Sequence, residues 1–266
     1  MSVTTPTATA WDPVQYARYK RYRDRPALDL MVQIPGDLEP RTIWDLGCGT
    51  GEHAVVLSRR HPEAAVYGVD SSPHMLDEAR SLSSGVTWIQ DDITAFAPPE
   101  PADLIFTNAA LQWLPDHAAL FPRLVKALAP GGVLACQMPV SFSESWHVQL
   151  RETARDGPWA ARLEGARGVQ PVASPAQYHD WLSPLAETDI WTTTYLHVLE
   201  GEDPVVDWMS GTGLRPYLQR LPDPVEREAF LDAYRARISP HLSRTADGAT
   251  LFPFPRLFIV AIRREA

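Results

Sequence analysis

The chain has 266 residues, of which 45% are hydrophobic, enough for a full core in one domain or in one domain carrying a sizeable insertion. Lys+Arg 24 against Asp+Glu 33 leave a net charge of −9, which argues against a nucleic-acid binder relying on phosphate neutralisation and requires any anionic ligand to meet a local cationic cluster. Two cysteines, Cys48 and Cys136, are too few for a disulfide framework or a zinc site, and the first ten residues have neither a basic nor an apolar signal stretch. With no apolar run long enough to span a membrane, a cytoplasmic protein with no membrane partner is expected.

Residues 1–10 read as a flexible polar leader. From Trp11 to Arg25 aromatic side chains (Trp11, Tyr16, Tyr19, Tyr22) interleave with Arg18, Lys20, Arg21, Arg23 and Arg25. This pattern suits either a partly packed N-terminal helix or a lid over a substrate. Asp24 is the expected N-cap of the next helix, with Pro26 in its first turn and Ala27, Leu30, Met31 and Ile34 on its apolar face.

Ile43-Trp44-Asp45-Leu46 reads as a buried strand entering a turn with Gly47, Gly49 and Gly51. Glycine lets such a turn take positive φ and lets a ligand approach main-chain N–H groups. The spacing departs from the dinucleotide fingerprint, and no Lys-Ser/Thr follows as in a phosphate-binding loop. The turn resembles the glycine loop of class I S-adenosylmethionine-dependent methyltransferases. That resemblance implies that the loop holds the aminocarboxypropyl part of the cofactor.

Strands and helices then alternate: a helix through Ala54, Val55 and Leu57, a strand Val66–Val69 ending in Asp70, and a helix opened by Ser72-Pro73. Strands Val86–Gln90 and Leu104–Thr107 lead into Asp91-Asp92-Ile93 and Asn108, and a helix through Leu120, Phe121, Leu124, Val125 and Leu128 is expected to close at Pro130-Gly131-Gly132 before strand Val133–Met138. This order predicts an α/β fold with a parallel, doubly wound sheet. After Pro139 the rhythm breaks into helix-compatible stretches over about 141–184, strand-like Ile190–Tyr195, and helical blocks over about 204–240, the last opened by a capping-box pattern at Asp223–Glu226. Leu257–Ile262 reads as a buried final strand. Residues 11–266 are thus expected to form a single domain, with a lid at about 11–25 and a helical cap between the last strands.

Ligands of open parallel sheets bind beyond the carboxyl ends of the strands, where strand order reverses. The residues there are Asp45 with its glycines, Asp70 and the adjacent Ser71, Asp92, Ile93, Asn108 and Gln137. Asp70 is placed to accept from ribose hydroxyls and Asp92 from an adenine amine, while Ile93 and Met75 offer apolar faces to the purine. One acid at a strand end is ordinarily a solvated residue or a helix cap. Three in register with a glycine loop point to an adenosine-type ligand.

Several segments carry a closer resemblance: Trp11-Asp12-Pro13, Arg23-Asp24-Arg25-Pro26, Asn108 to His117, Gln137-Met138-Pro139, Trp191 to His197, Asp207-Trp208, Thr212 to Pro216 and Phe254 to Phe258. Together they resemble the trans-aconitate 2-methyltransferase family over nearly the whole chain from Trp11 onward. The resemblance implies a Rossmann-like methyltransferase sheet, mostly parallel with an antiparallel last strand. It also implies S-adenosylmethionine as cofactor and methyl transfer to a carboxylate of a small polycarboxylate, giving a monomethyl ester. A carboxylate needs no general base, so no catalytic dyad is expected. A tricarboxylate calls for arginine forks, for which Arg215, Arg256, Arg23 and Arg25 are candidates, ordinary surface salt bridging being their alternative. Trp113, Tyr16 and Tyr195 are candidate pocket walls and His147 and His197 candidate hydrogen-bond donors, each with a core role as alternative. No residue pair has metal-ligand spacing, so no metal is expected. Another small acid or acyl thioester as acceptor, a nicotinamide-dependent dehydrogenase and an inactive cofactor-binding protein are the competing readings.

Overall fold

The computed structural model describes residues 20–82, 85–166 and 172–265. Its strands are β1 (Thr42–Leu46), β2 (Ala65–Asp70), β3 (Val86–Gln90), β4 (Ala102–Asn108), β5 (Leu128–Pro139), β6 (Ala186–Leu199), β7 (Ser243–Arg244) and β8 (Thr250–Arg263). They lie in the order β3-β2-β1-β4-β5-β8-β6, with β7 paired to β8 off this path. Pairs β1–β2, β2–β3, β1–β4 and β4–β5 are parallel and β5–β8 is antiparallel. The sheet thus has the expected doubly wound, mostly parallel form, and strand order reverses between β1 and β4.

Helices α1 (Lys20–Val32), α2 (Glu52–Arg60), α3 (Pro73–Ser81) and α4 (His117–Lys126) precede β5. Between β5 and β6 come α5 (Ser145–Arg155), α6 (Ala160–Leu163) and α7 (Pro175–Leu182), and between β6 and β7 come α8 (Pro204–Ser210), α9 (Arg215–Leu218) and α10 (Pro224–Ile238). The described residues divide into two compact units. The sheet unit takes those within Asp24–Val140, Val169–Thr193 and Pro255–Ala266, and the helical unit those within Met1–Arg23, Ser141–Gly168 and Thr194–Phe254. The single domain with lid and cap segments expected from the sequence stands beside this division as an alternative description.

In the sheet unit, β1 and β4 are apolar on both faces because helices cover both, so their sequences run nearly continuous in hydrophobic residues rather than alternating. Their core joins Leu46, Ile105, Phe121, Leu124, Leu134 and Ile259. The helical unit has its own core, in which Trp146, Trp159, Trp208, Tyr217, Phe230, Tyr234 and Phe252 carry most of the volume. Two of its aromatic polar ends are tied to backbone: Tyr234 Oη donates to Trp146 O at 3.0 Å and Trp159 Nε1 to Thr153 O at 2.7 Å.

Three element boundaries depart from expectation. Asp24 does not cap α1; the helix is already formed at Lys20 and carries Pro26 inside it. A proline costs a helix one N–H bond, but the turn before it is held by Tyr22, whose ring lies 4.4 Å from that of His197 and whose hydroxyl donates to Val198 O at 2.8 Å. Helix α4 ends at Lys126 and strand pairing begins at Leu128, so Pro130–Gly132 belong to β5, across a register shift between Ala102 and Leu104 of β4. There Gly132 is required by crowding, since a Cβ would stand 2.9 Å from the carbonyl oxygens of Ala102 and Ala129. At Asp223 the carboxylate accepts from Val225 N at 3.0 Å, a simple N-cap rather than the expected reciprocal box.

The indole of Trp88 on β3 fills the space left by two glycines. A Cβ on Gly68 would lie 2.4 Å from it, and one on Gly51 likewise 2.4 Å. Gly68→Val should therefore force Trp88 out of place and cost about 1–3 kcal/mol of stability, the usual range for overpacking. Urea denaturation checks this; a midpoint equal to that of the parent chain would show that Trp88 yields freely.

Candidate active site

The carboxyl ends of β1, β2 and β4 and the turns beyond them assemble one group of residues in the sheet unit. After β1 the chain turns at once, Gly47 N and Cys48 N both donating to Val69 O at 2.8 and 3.0 Å. Gly47 has φ 74°. A Cβ there would lie 2.2 Å from Ala110 Cβ, so glycine is what lets the β4 loop close against the β1 loop. Gly49, at φ 54°, has open space where a Cβ would be, so its backbone faces outward. Gly51 instead turns toward Trp88 and Ala79, which makes its contribution one of packing helix α2 onto the sheet.

Asp70, ending β2, links that turn to the next helix. One carboxylate oxygen accepts from Gly49 N at 2.9 Å and the other from Ser72 N at 2.8 Å. Two acceptor positions on these oxygens are left for a ligand. Ser71 is exposed, and its carbonyl accepts from the Gln90 side chain at 3.4 Å. Met75 is half-buried on α3, whose N-cap is the Ser72 hydroxyl accepting from Met75 N.

Asp92 caps the short turn Ile93–Ala95, accepting from Thr94 N at 2.8 Å, and this bond with that of the Thr94 side chain holds its carboxyl below the ordinary range. Ile93 is buried, with Cδ1 3.5 Å from where a Gly47 Cβ would be. Asp92 and Ile93 thus flank the glycine turn.

Asp45 is 2% exposed, and its Oδ2 has no hydrogen-bond partner. Burial pushes its carboxyl up to about 7; His53 draws it back and the neighbouring Asp70 charge adds to the rise. At the end of β4, Asn108 Oδ1 is likewise buried without a partner. The next residue, Ala109, is held at φ 54° while Gln112 Nε2 donates to its carbonyl at 2.6 Å. A left-handed conformation at alanine is strained and concentrates at functional sites. An orphaned acid, an orphaned amide oxygen and an outward glycine backbone at the topological switch point suit a polar, partly cationic ligand such as S-adenosylmethionine.

Farther along the same edge, Gln137 of β5 pairs in register with Asn108 and with Phe258 of β8. Its Nε2 is buried with no partner, and its Oε1 lies 3.5 Å from Arg256 Nη1. Arg256 is 5% exposed and stands opposite Pro139. A guanidinium so deeply buried is costly unless anions or dipoles meet it.

The remaining sequence candidates are dispersed. Arg25 is exposed and pairs with Asp29 at 3.7 Å on α1, and Trp113 is 50% exposed in the turn after β4. Tyr16 lies outside the described residues, as does the Arg23 side chain. In the helical unit Arg215 is exposed at the start of α9, whereas Tyr195, His147 and His197 are buried. His197 sits among Tyr22, Trp208 and Phe254, with ring centroids 4.4, 4.8 and 5.5 Å away. The sequence reading did not single out Asp24–His53, a pair at 3.6 Å, or the Gln112–Ala109 bond. Neither carries a motif: Asp24 on α1 and His53 on α2 meet only through the fold, and Gln112 reaches back to a carbonyl three residues earlier in the turn after β4.

A family model described as a methyltransferase domain matches residues 43–132, the segment from β1 into β5 that carries the glycine turn and the three acids. The trans-aconitate 2-methyltransferase of Azoarcus sp. (strain BH72) is 49% identical over 254 residues, covering 95% of this chain and 99% of that protein. The one from Methylobacterium nodulans is 46% identical over 258 residues, covering 95% and 98%. Among solved structures, the YcgJ protein from Bacillus subtilis superposes with a TM-score of 0.58 at 13% identity, covering 91% of this chain and all of that one. Haemonchus contortus phosphoethanolamine N-methyltransferase 2, solved with S-adenosyl-L-methionine, gives 0.52 at 16% identity over 91% of this chain and 53% of that one. At such identities the structural likeness shows the fold alone. The sequence relatives go further, since they match through the helical unit as well as the sheet: the chain belongs to the trans-aconitate 2-methyltransferase family.

Proposed function

We propose that this protein transfers a methyl group from S-adenosylmethionine to one carboxylate of trans-aconitate, giving a monomethyl ester and S-adenosylhomocysteine. The observation that carries the reading is the identity of 44–49% to relatives bearing that name over 94–97% of the chain. It is supported by a switch-point site whose orphaned polar groups fit the cofactor and by a buried arginine on the same strand edge.

The cofactor, when bound, supplies a methyl group already activated on a sulfonium. The residues of the chain bind and orient. Asp45 and Asn108 offer unpartnered oxygens to its polar end, and Asp70 keeps acceptor capacity for ribose hydroxyls. Asp92 has a second carboxylate oxygen for an exocyclic amine, and Ile93 and Met75 supply apolar faces. Arg256 presents a cation with carboxylate-matching geometry beside Gln137. The acceptor carboxylate is ionised at neutral pH and is itself the nucleophile, so no residue has to remove a proton. Holding oxygen, methyl and sulfur in line is then the main catalytic task, and positioning of this kind supplies up to about 7–11 kcal/mol.

The direct test is a panel of di- and tricarboxylates incubated with radiolabelled methyl donor. Trans-aconitate should be the preferred acceptor; labelling of another acid with trans-aconitate untouched would reassign the substrate within the same chemistry. The second expectation concerns pH. A carboxyl raised to about 7 keeps its proton in the folded chain after the unfolded chain has lost it, so Asp45 erodes stability as pH climbs from about 4 to about 7 and not beyond. A cationic ligand favours the ionised carboxylate, so binding expels that proton. Cofactor affinity should therefore rise between pH 6 and 7.5, and calorimetry on Asp45→Asn should show a flatter profile. Third, Arg256→Lys, which keeps charge but loses the fork, should raise the acceptor KM about tenfold, while Arg215→Ala at its exposed position should change it far less. Equal effects in steady-state kinetics would remove Arg256 from the anion site.

A further inference from the structure

Asp45, Asn108, Gln137 and Arg256 form a polar row on one face of the sheet unit. Asp45 of β1 stands opposite Phe106 of β4, and Asn108, two residues on, is in register with Gln137 of β5. Gln137 in turn faces Phe258 of β8, two residues from Arg256. Side chains alternate along a strand, so all of them share that face. The row runs from an acid beside the glycine turn to a cation at its far end, and Gln137 stands between. It is 0% exposed, and its Nε2 has no hydrogen-bond partner.

Which end of that amide is uncommitted follows from its neighbours. Arg256 has donors only, and its Nη1 lies 3.5 Å from Gln137 Oε1, so the carbonyl oxygen takes that side and the NH2 group is left over. Asn108 Oδ1 is also unpartnered, so it does not accept from that group. The β8 side offers the ring of Phe258, stacked on Trp191 at 4.9 Å. A buried donor without an acceptor is costly, and an oxygen of a bound anion removes that cost. Pro139 and Val140, just beyond Gln137, are half-buried, as are Asn108 to Ala110, so these strand ends are partly open to a ligand.

We propose that Gln137 Nε2 donates to the acceptor carboxylate that receives the methyl group while Arg256 holds a second one, so that Gln137 decides which carboxylate is esterified. This rests on the reading of the acceptor as trans-aconitate. In the transfer a carboxylate oxygen gives an electron pair to form the O–CH3 bond as the S–CH3 bond breaks with its pair left on sulfur, and no proton moves. The opposite charges of carboxylate and sulfonium vanish together. An arginine on the reacting carboxylate would hold the ground state more tightly than the transition state and raise the barrier. A neutral amide loses less as the charge fades, and Gln137 is the member of the row that lies next to Asn108, with Arg256 beyond it.

The esters formed from trans-aconitate, identified by NMR, test this alongside steady-state kinetics and calorimetry of trans-aconitate binding to protein saturated with S-adenosylhomocysteine. Gln137→Met keeps the volume and removes the donor, and Gln137→Asn keeps the amide but stops one methylene short. The parent should give one monomethyl ester. Both variants should give mixed monomethyl esters, with kcat lowered and trans-aconitate binding weakened about tenfold each, the low end for a hydrogen bond to a charged group. Their affinity for S-adenosylhomocysteine should be unchanged, which also verifies folding; where one variant loses it, the other decides. A merely structural role would lower activity without altering the ratio of esters. An unselective parent, or the same single ester from variants that still bind S-adenosylhomocysteine, overturns the role of Gln137 and leaves the acceptor reading standing. A parent that neither binds nor methylates trans-aconitate overturns the acceptor reading and the role with it.

Discussion

The Asp70 carboxylate is the tie on which the loops at the carboxyl ends of β1 and β2 depend. By accepting from Gly49 N and Ser72 N it joins the turn after β1 to the start of α3, across the parallel pair β1–β2. Charge-assisted bonds to backbone N–H groups are stronger than neutral ones, so one side chain sets the outline of the whole turn. The glycines make that tie possible: Gly47 admits Ala110 and Gly49 leaves its backbone open. Asp45 lies buried with one oxygen unpartnered, and the cost of that burial is what a cationic ligand can recover.

The helical unit is organised by a different principle. Its core is aromatic, and the polar ends of Tyr234 and Trp159 are matched to backbone carbonyls. His197 belongs to that core, ringed by Tyr22, Trp208 and Phe254. Large rigid rings cost little conformational entropy to order and bury much area each. That suits a unit assembled from short helices such as α6 and α9, which could not persist on their own.

Much of the sheet, and of the group of residues at the carboxyl ends of its strands, was legible in the sequence, because strand-helix alternation and the Gly47–Gly51 spacing are local signals. Asp70 and Asp92 could be placed at strand ends by counting alone. Boundaries set by tertiary contact were not legible. Pro26 stays inside α1 because Tyr22 is packed and hydrogen-bonded, and Pro130 lies in β5 because of a register shift against β4. The arginines show the same divide. Arg215 and Arg256 looked alike in motifs flanked by proline, yet one is exposed and the other buried beside Gln137.

The sequence by itself determined the class of fold, the positions along it of the glycine turn and the strand-end acids, and the family, since periodicity, turn chemistry and motif order are properties of the linear chain. Only the tertiary structure decided which polar groups are buried, as at Asp45, whose Oδ2 has no hydrogen-bond partner, and at Arg256 beside Gln137. Desolvation depends on what the rest of the chain packs around a group, and no local pattern records that.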